Sequence, residues 1–170
     1  MRRTIRHVDF YANCSTDTLA SYSANHRVVP QQHQTMGSLP VQQDQVNDVL
    51  IIGAGLSGIC SLIHIRERFP SWRVNIIEAG DDVGGTWYWN RYPGCRFDSE
   101  SLSYGFSFDK DLLEEWHWKE AFSPQAETHK YIKRVAEKHN LYKDIQFNTK
   151  IATAHWNDTE HSWTFVDEAG

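Results

Sequence analysis

Apolar and polar positions divide the chain near residue 48. Over residues 1–47 polar side chains dominate, and the stretch "VVPQQHQTMGSLPVQQDQ" shows neither the helical nor the strand period. Such a segment cannot bury enough apolar surface to offset the entropy of ordering it, so it reads as a disordered leader. From Asp48 the pattern changes. In "DVLIIGAGLSGICSLIHIRERF" the β-branched run Val49 to Ile52 predicts a buried parallel strand. Beyond its glycines, Leu56, Ile59, Cys60 and Ile63 share one helical face, Arg66, Glu67 and Arg68 lie outside it, and Pro70 ends the helix. "WRVNIIEAG" predicts a second strand that ends in Glu78.

Further on, Thr128, Ile132, Val135 and Ala136 line one side of a helix predicted over about Pro124 to His139, with Lys133, Arg134 and Glu137 as its wet side. "DIQFNTKIATAHW" and "HSWTFVD" alternate around "NDTE" and predict two antiparallel strands opening a meander. The expected fold is therefore α/β. Residues 48–170 form one partial doubly wound, Rossmann-like domain of two or three parallel strands with helices, closed by a C-terminal β-hairpin.

Composition narrows the function classes. The formal charge of -5 and pI near 6.0 leave no basic face for nucleic acid or an anionic membrane. No segment approaches the roughly 20 apolar residues that span a bilayer. Arg2, Arg3 and Arg6 are not followed by the apolar stretch of about 7 residues that a secretory signal needs. Three cysteines, odd in number and far apart, suit a reducing compartment, and a cytoplasmic location is expected. Neither they nor the histidines have metal-ligand spacing, so no metal site is expected.

Candidate chemistry gathers where the first strand meets the first helix. Gly53, Gly55 and Gly58 stand in G-x-G-x-x-G spacing, and Glu78 follows Gly58 by twenty residues. Gly53 makes the turn, Gly55 admits a pyrophosphate to the backbone, Gly58 permits close helix–strand packing, and the helix N-terminus offers unpaired N–H groups. Glu78 would accept hydrogen bonds from an adenosine ribose and repel a 2'-phosphate, which selects FAD or NAD. The segment Gly80 to Tyr104 then concentrates glycines and aromatics in a loop. Thr86 can donate a hydroxyl, Trp87 and Trp89 offer flat faces, and Arg91, Arg96 and Asp98 bring charge to the same edge, which favours a flavin over the simpler nicotinamide sites. Two other readings stand beside this one: an NAD-linked dehydrogenase module, or a loop in which Trp87, Tyr88 and Trp89 merely plug the core.

"GGTWYWNRYPGCRFD" resembles the short motif of Baeyer-Villiger monooxygenases, with Gly84, Gly85, Trp87, Tyr92, Pro93, Gly94 and Asp98 at its fixed positions. The likeness runs from about Asp48 to the C-terminus and departs from the family at Ala126, where proline is common. It implies that Thr86, Trp87, Tyr88, Trp89, Asp98 and Tyr104 contact FAD, and that Arg96, Phe97 and Asp98 lie near NADPH. It also implies an NADPH- and O2-dependent conversion of a hydrophobic ketone into an ester or lactone, as in secondary metabolism. Asp98 would be the catalytic aspartate that orients an essential arginine, an electrostatic role. The family's longer fingerprint, its second glycine-rich turn for NADPH and that arginine are not found in these 170 residues. The expectation is an N-terminal part that is inactive alone and needs a complementing C-terminal polypeptide; the alternative is a non-catalytic flavin-binding fragment.

Overall fold

A computed structural model describes residues 2–6 and 46–169. The elements run β1 (Arg2–Arg6), β2 (Val49–Ile52), α1 (Leu56–Arg68), β3 (Val74–Ile77), α2 (Thr86–Trp89), α3 (Lys110–Glu115), α4 (Gln125–Lys138), β4 (Ile145–Gln146), β5 (Ile151–Asn157) and β6 (Ser162–Asp167), with 3-10 turns at Ser101–Tyr104 and Tyr142–Asp144. The first sheet has the order β2-β3-β4 and is parallel throughout. Val49 lies opposite Val74 and Ile52 opposite Ile77, while Ile76 and Ile77 face Ile145 and Gln146. Parallel neighbours need a crossover, and α1 supplies it between β2 and β3. The chain is thus Rossmann-like α/β, as its pattern predicts.

Burial explains the boundaries. Ile59, Leu62, Ile63 and Ile65 of α1 and Tyr131, Ile132, Val135 and Ala136 of α4 join Val49, Val74 and Ile76 in one core. A fully buried side chain of this size contributes about 1.5–3 kcal/mol, so each helix is fixed by its apolar face more than by propensity. The expected helix over 124–139 appears as Gln125–Lys138. Trp116 and Trp118 pack on Tyr131 at 5.4 and 5.1 Å between ring centroids while His117 is exposed, so "EEWHW" is packing, as expected.

The second sheet, β1-β6-β5, is antiparallel and carries the expected hairpin. Its third strand comes from the leader: Arg2 to Arg6 pair with Val166 to Ser162. Backbone pairing on an open edge asks for no apolar period, so polarity alone does not show it. The rest of the expected leader up to residue 45 lies outside the described residues.

Two readings need correction. The continuous strand expected from Asp144 to Trp156 is two strands in different sheets, because Asn148 adopts φ 53° and turns the chain between them. Asn148 and Thr149 then donate their N–H groups to the Gly80 and Glu78 carbonyls at 2.9 Å, crossing the end of β3. Cys60, moreover, is disulfide-bonded, whereas reduced thiols were expected. Cys95 is a buried free thiol.

Asp109 ties α3 to α4. Its carboxylate accepts the Leu112 N–H at 3.0 Å, Lys138 Nζ at 2.5 Å and His139 Nε2 at 2.7 Å. Burial opposes its charge, but the Lys138, Leu112 and His139 hydrogen bonds outweigh it and hold the carboxyl below the ordinary carboxylate value of 3.8. A depressed folded-state value contributes stability at neutral pH that is lost as pH falls through it. Asp109→Asn is expected to cost roughly 1–3 kcal/mol at pH 7 and much less near pH 3, read from thermal melts. A pH-independent gap would show that the charge is immaterial.

Candidate dinucleotide site

The turn after β2 is built from backbone. Gly53 has φ 95° and donates its N–H to the Ile77 carbonyl at 2.8 Å, which bends the chain off the sheet. Gly55 is the N-cap of α1, with no side-chain cap and no acidic residue in the first turn. The first α1 amide with an intrahelical partner is Ile59, bonded to the Gly55 carbonyl at 3.0 Å, so the amides of residues 56–58 are the helix's orphan donors. A Cβ at Gly58 would lie 2.0 Å from the Gly53 oxygen, which makes glycine obligatory where helix and turn touch.

Glu78 lies across this turn. It is 4% exposed. Its Oε2 accepts the Ala54 N–H at 2.6 Å and its Oε1 accepts the Gly80 N–H at 2.7 Å. The acid expected to meet a ribose therefore also fixes the peptide between two of the motif glycines. Each oxygen retains acceptor capacity for a further donor.

A second glycine turn interlocks with the first. Gly84 and Gly85 have φ 134° and 54°, and Gly84 donates its N–H to the Ala54 carbonyl at 2.9 Å. A Cβ on Gly85 would stand 2.8 Å from Gly55 Cα. The sequence suggests these glycines for their approach to a ligand; the structure shows that they first permit two backbones to meet.

The aromatics separate. Trp87 is buried, donates Nε1–H to the Tyr104 hydroxyl at 2.9 Å, and meets Phe97 and Tyr104 edge-on at 5.5 and 5.7 Å. Phe97 and Tyr104 stack at 4.3 Å. For Trp87 the plug reading therefore describes the packing, with Phe97 buried against it. Trp89 is 59% exposed, and Thr86 is exposed beside it. Tyr88 lies over Gly80, donates to Asp81 Oδ1 at 2.6 Å and carries the Arg91 guanidinium 4.6 Å from its ring centroid. Arg96 is exposed and donates to Glu120 Oε2 and the Phe122 carbonyl, both at 2.9 Å. Asp98 is exposed and has no hydrogen-bond or ion-pair partner among the described residues. Gly53, Gly55, Gly58, Glu78, Gly84 and Gly85 thus converge, whereas Trp89, Arg96 and Asp98 lie on the surface.

Sequence reasoning passed over Gln125 and His129, which reach the carbonyls of Trp87 and Val83 from α4. Their helical spacing is visible, but polar residues on a helix read by default as solvated. No group of metal-binding residues and no helix able to cross a membrane occurs among the described residues.

Residues 51–115 match the family described as NAD(P)-binding Rossmann-like domain. The chain is 43% identical over 116 residues to the 2-oxo-Delta(3)-4,5,5-trimethylcyclopentenylacetyl-CoA monooxygenase of Pseudomonas putida, covering 68% of this chain and 21% of that protein. It is 37% identical over 123 residues to a Baeyer-Villiger monooxygenase of Pseudooceanicola batsensis, covering 72% and 22%. The chain is a relative of the Baeyer-Villiger-type flavin monooxygenases and matches their N-terminal part. It spans little more than a fifth of the length of these two relatives. Among solved structures, the OTEMO complex with FAD and NADP matches with a TM-score of 0.68 at 40% identity, over 73% of this chain and 23% of that one.

Proposed function

We infer that residues 48–170 form the FAD-binding part of a Baeyer-Villiger-type monooxygenase. The observation that carries this reading is the pair of interlocked glycine turns at the uncapped N-terminus of α1, with Glu78 bound across them. The donor set fits a dinucleotide. Orphan amides and a positive helix end receive a pyrophosphate, the absent Cβ of Gly55 leaves its backbone approachable, and Glu78 accepts from a ribose hydroxyl. Thr86 and Trp89 present the hydroxyl and flat face that remain exposed. FAD, when bound, supplies the oxygen-transfer chemistry.

In the complete enzyme, with NADPH and O2, the substrate would be a hydrophobic ketone converted to an ester or lactone, as in secondary metabolism. Arg96, Phe97 and Asp98 belong to the NADPH side in this reading, and a cytoplasmic location is part of it. Asp98, exposed and without a partner among the described residues, would orient an arginine carried by the remainder of such an enzyme or by a complementing C-terminal polypeptide. Asp98→Ala in that complete context is expected to lower ketone oxygenation about tenfold or more while leaving FAD content nearly unchanged. Equal loss of both would reduce Asp98 to a structural role.

Titration of the 170-residue protein with FAD, followed by flavin fluorescence, tests the reading directly. Binding is expected, and Gly55→Ala should weaken it at least tenfold without lowering Tm, because a Cβ there meets Gly85 Cα at an ordinary 3.5 Å. Binding of NAD with none of FAD would replace the flavin by the dehydrogenase-module reading. Unchanged FAD affinity in Gly55→Ala would remove the pyrophosphate from this turn.

A further inference from the structure

The packing helix α4 carries a second, polar stripe. Gln125, His129 and Lys133 recur at every fourth position, which stacks them along one helix face beside the apolar face of Thr128, Ile132, Val135 and Ala136. All three reach a single segment. Gln125 Nε2 donates to the Trp87 carbonyl, His129 Nε2 lies 2.8 Å from the Val83 carbonyl, and Lys133 Nζ lies 2.6 Å from Asp82 Oδ2. A carbonyl can only accept, so His129 carries a proton on Nε2. Asp82 is fastened further by the Val83 N–H at 2.8 Å and the Tyr142 hydroxyl at 3.1 Å.

The gripped atoms flank the Gly84–Gly85 turn on both sides. The His129 ring also closes on the turn itself: a Cβ at Gly84 would be 2.8 Å from His129 Cδ2 and 3.1 Å from Tyr88 Cβ. Gly84 is thus wedged between a helix side chain and an aromatic. A turn with two successive left-handed glycines gains little from its own sequence, since glycine has the largest entropy to lose on ordering. External donors must hold it.

We propose that Gln125, His129 and Lys133 are positioning residues for the flavin site. They hold the Gly84–Gly85 turn so that the Gly84 N–H meets the Ala54 carbonyl and Gly85 rests on Gly55, and they set dinucleotide affinity without touching the ligand. The proposal rests on the FAD reading for its consequence, while the mechanical part belongs to the protein alone.

The test compares His129→Ala, His129→Gln, Lys133→Met and, as a control on another face of α4, Arg134→Ala, whose guanidinium pairs with exposed Glu115 at 2.6 Å. Hydrogen exchange of the Gly84 amide is measured without FAD; then FAD affinity and the visible circular dichroism of the bound flavin are measured. His129→Ala is expected to speed Gly84 exchange and raise the FAD Kd, each about tenfold, and to change the flavin dichroism. Lys133→Met should act in the same direction, Arg134→Ala should match wild type, and His129→Gln should recover most of the loss by restoring a donor. A lower Tm for His129→Ala with wild-type Gly84 exchange and flavin signals would overturn the proposal and leave the stripe as packing. Should His129→Ala fail to fold, Lys133→Met decides by the same exchange readout. Absence of FAD binding by the wild type would sink the flavin reading, and the exchange arm would still decide whether α4 holds the turn.

Discussion

Gly58→Ala is expected to unfold the site and remove FAD binding together. The added Cβ would lie 2.0 Å from the Gly53 carbonyl oxygen and 3.2 Å from its carbon, and both are backbone, so no rotamer relieves the clash. The helix would have to lift off the turn, which separates α1 from β2 and withdraws the orphan amides from any phosphate. Overpacking typically costs about 1–3 kcal/mol, and a clash with rigid backbone belongs at or beyond the upper end. At about 2–4 °C per kcal/mol for a chain of this length, Tm should fall by at least about 6 °C. FAD affinity should fall at least a hundredfold. Gly55→Ala is the internal comparison: it adds the same methyl group at an ordinary contact distance and should spare Tm. Equal melting of the two variants would mean that the helix–turn contact is not what makes glycine necessary at 58.

The contrast between these glycines shows where the sequence is readable. The spacing alone identifies a strand–turn–helix, because the hydrophobic run of Val49 to Ile52 and the apolar face of α1 are set by burial, and burial imposes a period. The same reason makes α4 visible to within a residue at each end. Contacts that depend on what a polar atom meets are a different matter. Gln125, His129 and Lys133 find partners 38, 46 and 51 residues away, and no local pattern distinguishes a side chain that bonds such a distant acceptor from one that bonds water.

Trp87 and Trp89 make the point within one short helix. Both read as flat surfaces for a flavin, yet two helical steps turn them about 200° apart, and only Trp89 is left exposed. The strand split at Asn148 was hidden because alternation persists through Gln146 and beyond, while the turn depends on one left-handed residue. Pairing of Arg2–Arg6 was hidden for a related reason: an edge strand is held by backbone groups that every residue carries.

Glu78→Ala is expected to lose stability before any ligand is added. The ribose reading alone makes this acid a ligand-binding residue whose loss should leave the protein without FAD unchanged. The geometry says otherwise. With the carboxylate gone, the amides of Ala54 and Gly80 lose acceptors at 2.6 and 2.7 Å in a place closed to water. Each buried donor left unpaired costs about 1–3 kcal/mol, so the pair should cost about 2–6 kcal/mol in unfolding without FAD. Glu78→Gln keeps the shape but turns an NH2 toward one of the two amides, and should lie between wild type and alanine. Local exchange separates the two roles, since the Ala54 and Gly80 amides should lose protection in both variants without ligand. If Glu78→Ala melts like wild type and only FAD binding is lost, Glu78 serves the ribose alone. If stability and binding fall together, with glutamine intermediate in both, one carboxylate shapes the turn that receives the pyrophosphate and accepts the ribose beside it. A substitution there cannot then remove the second function without damaging the first.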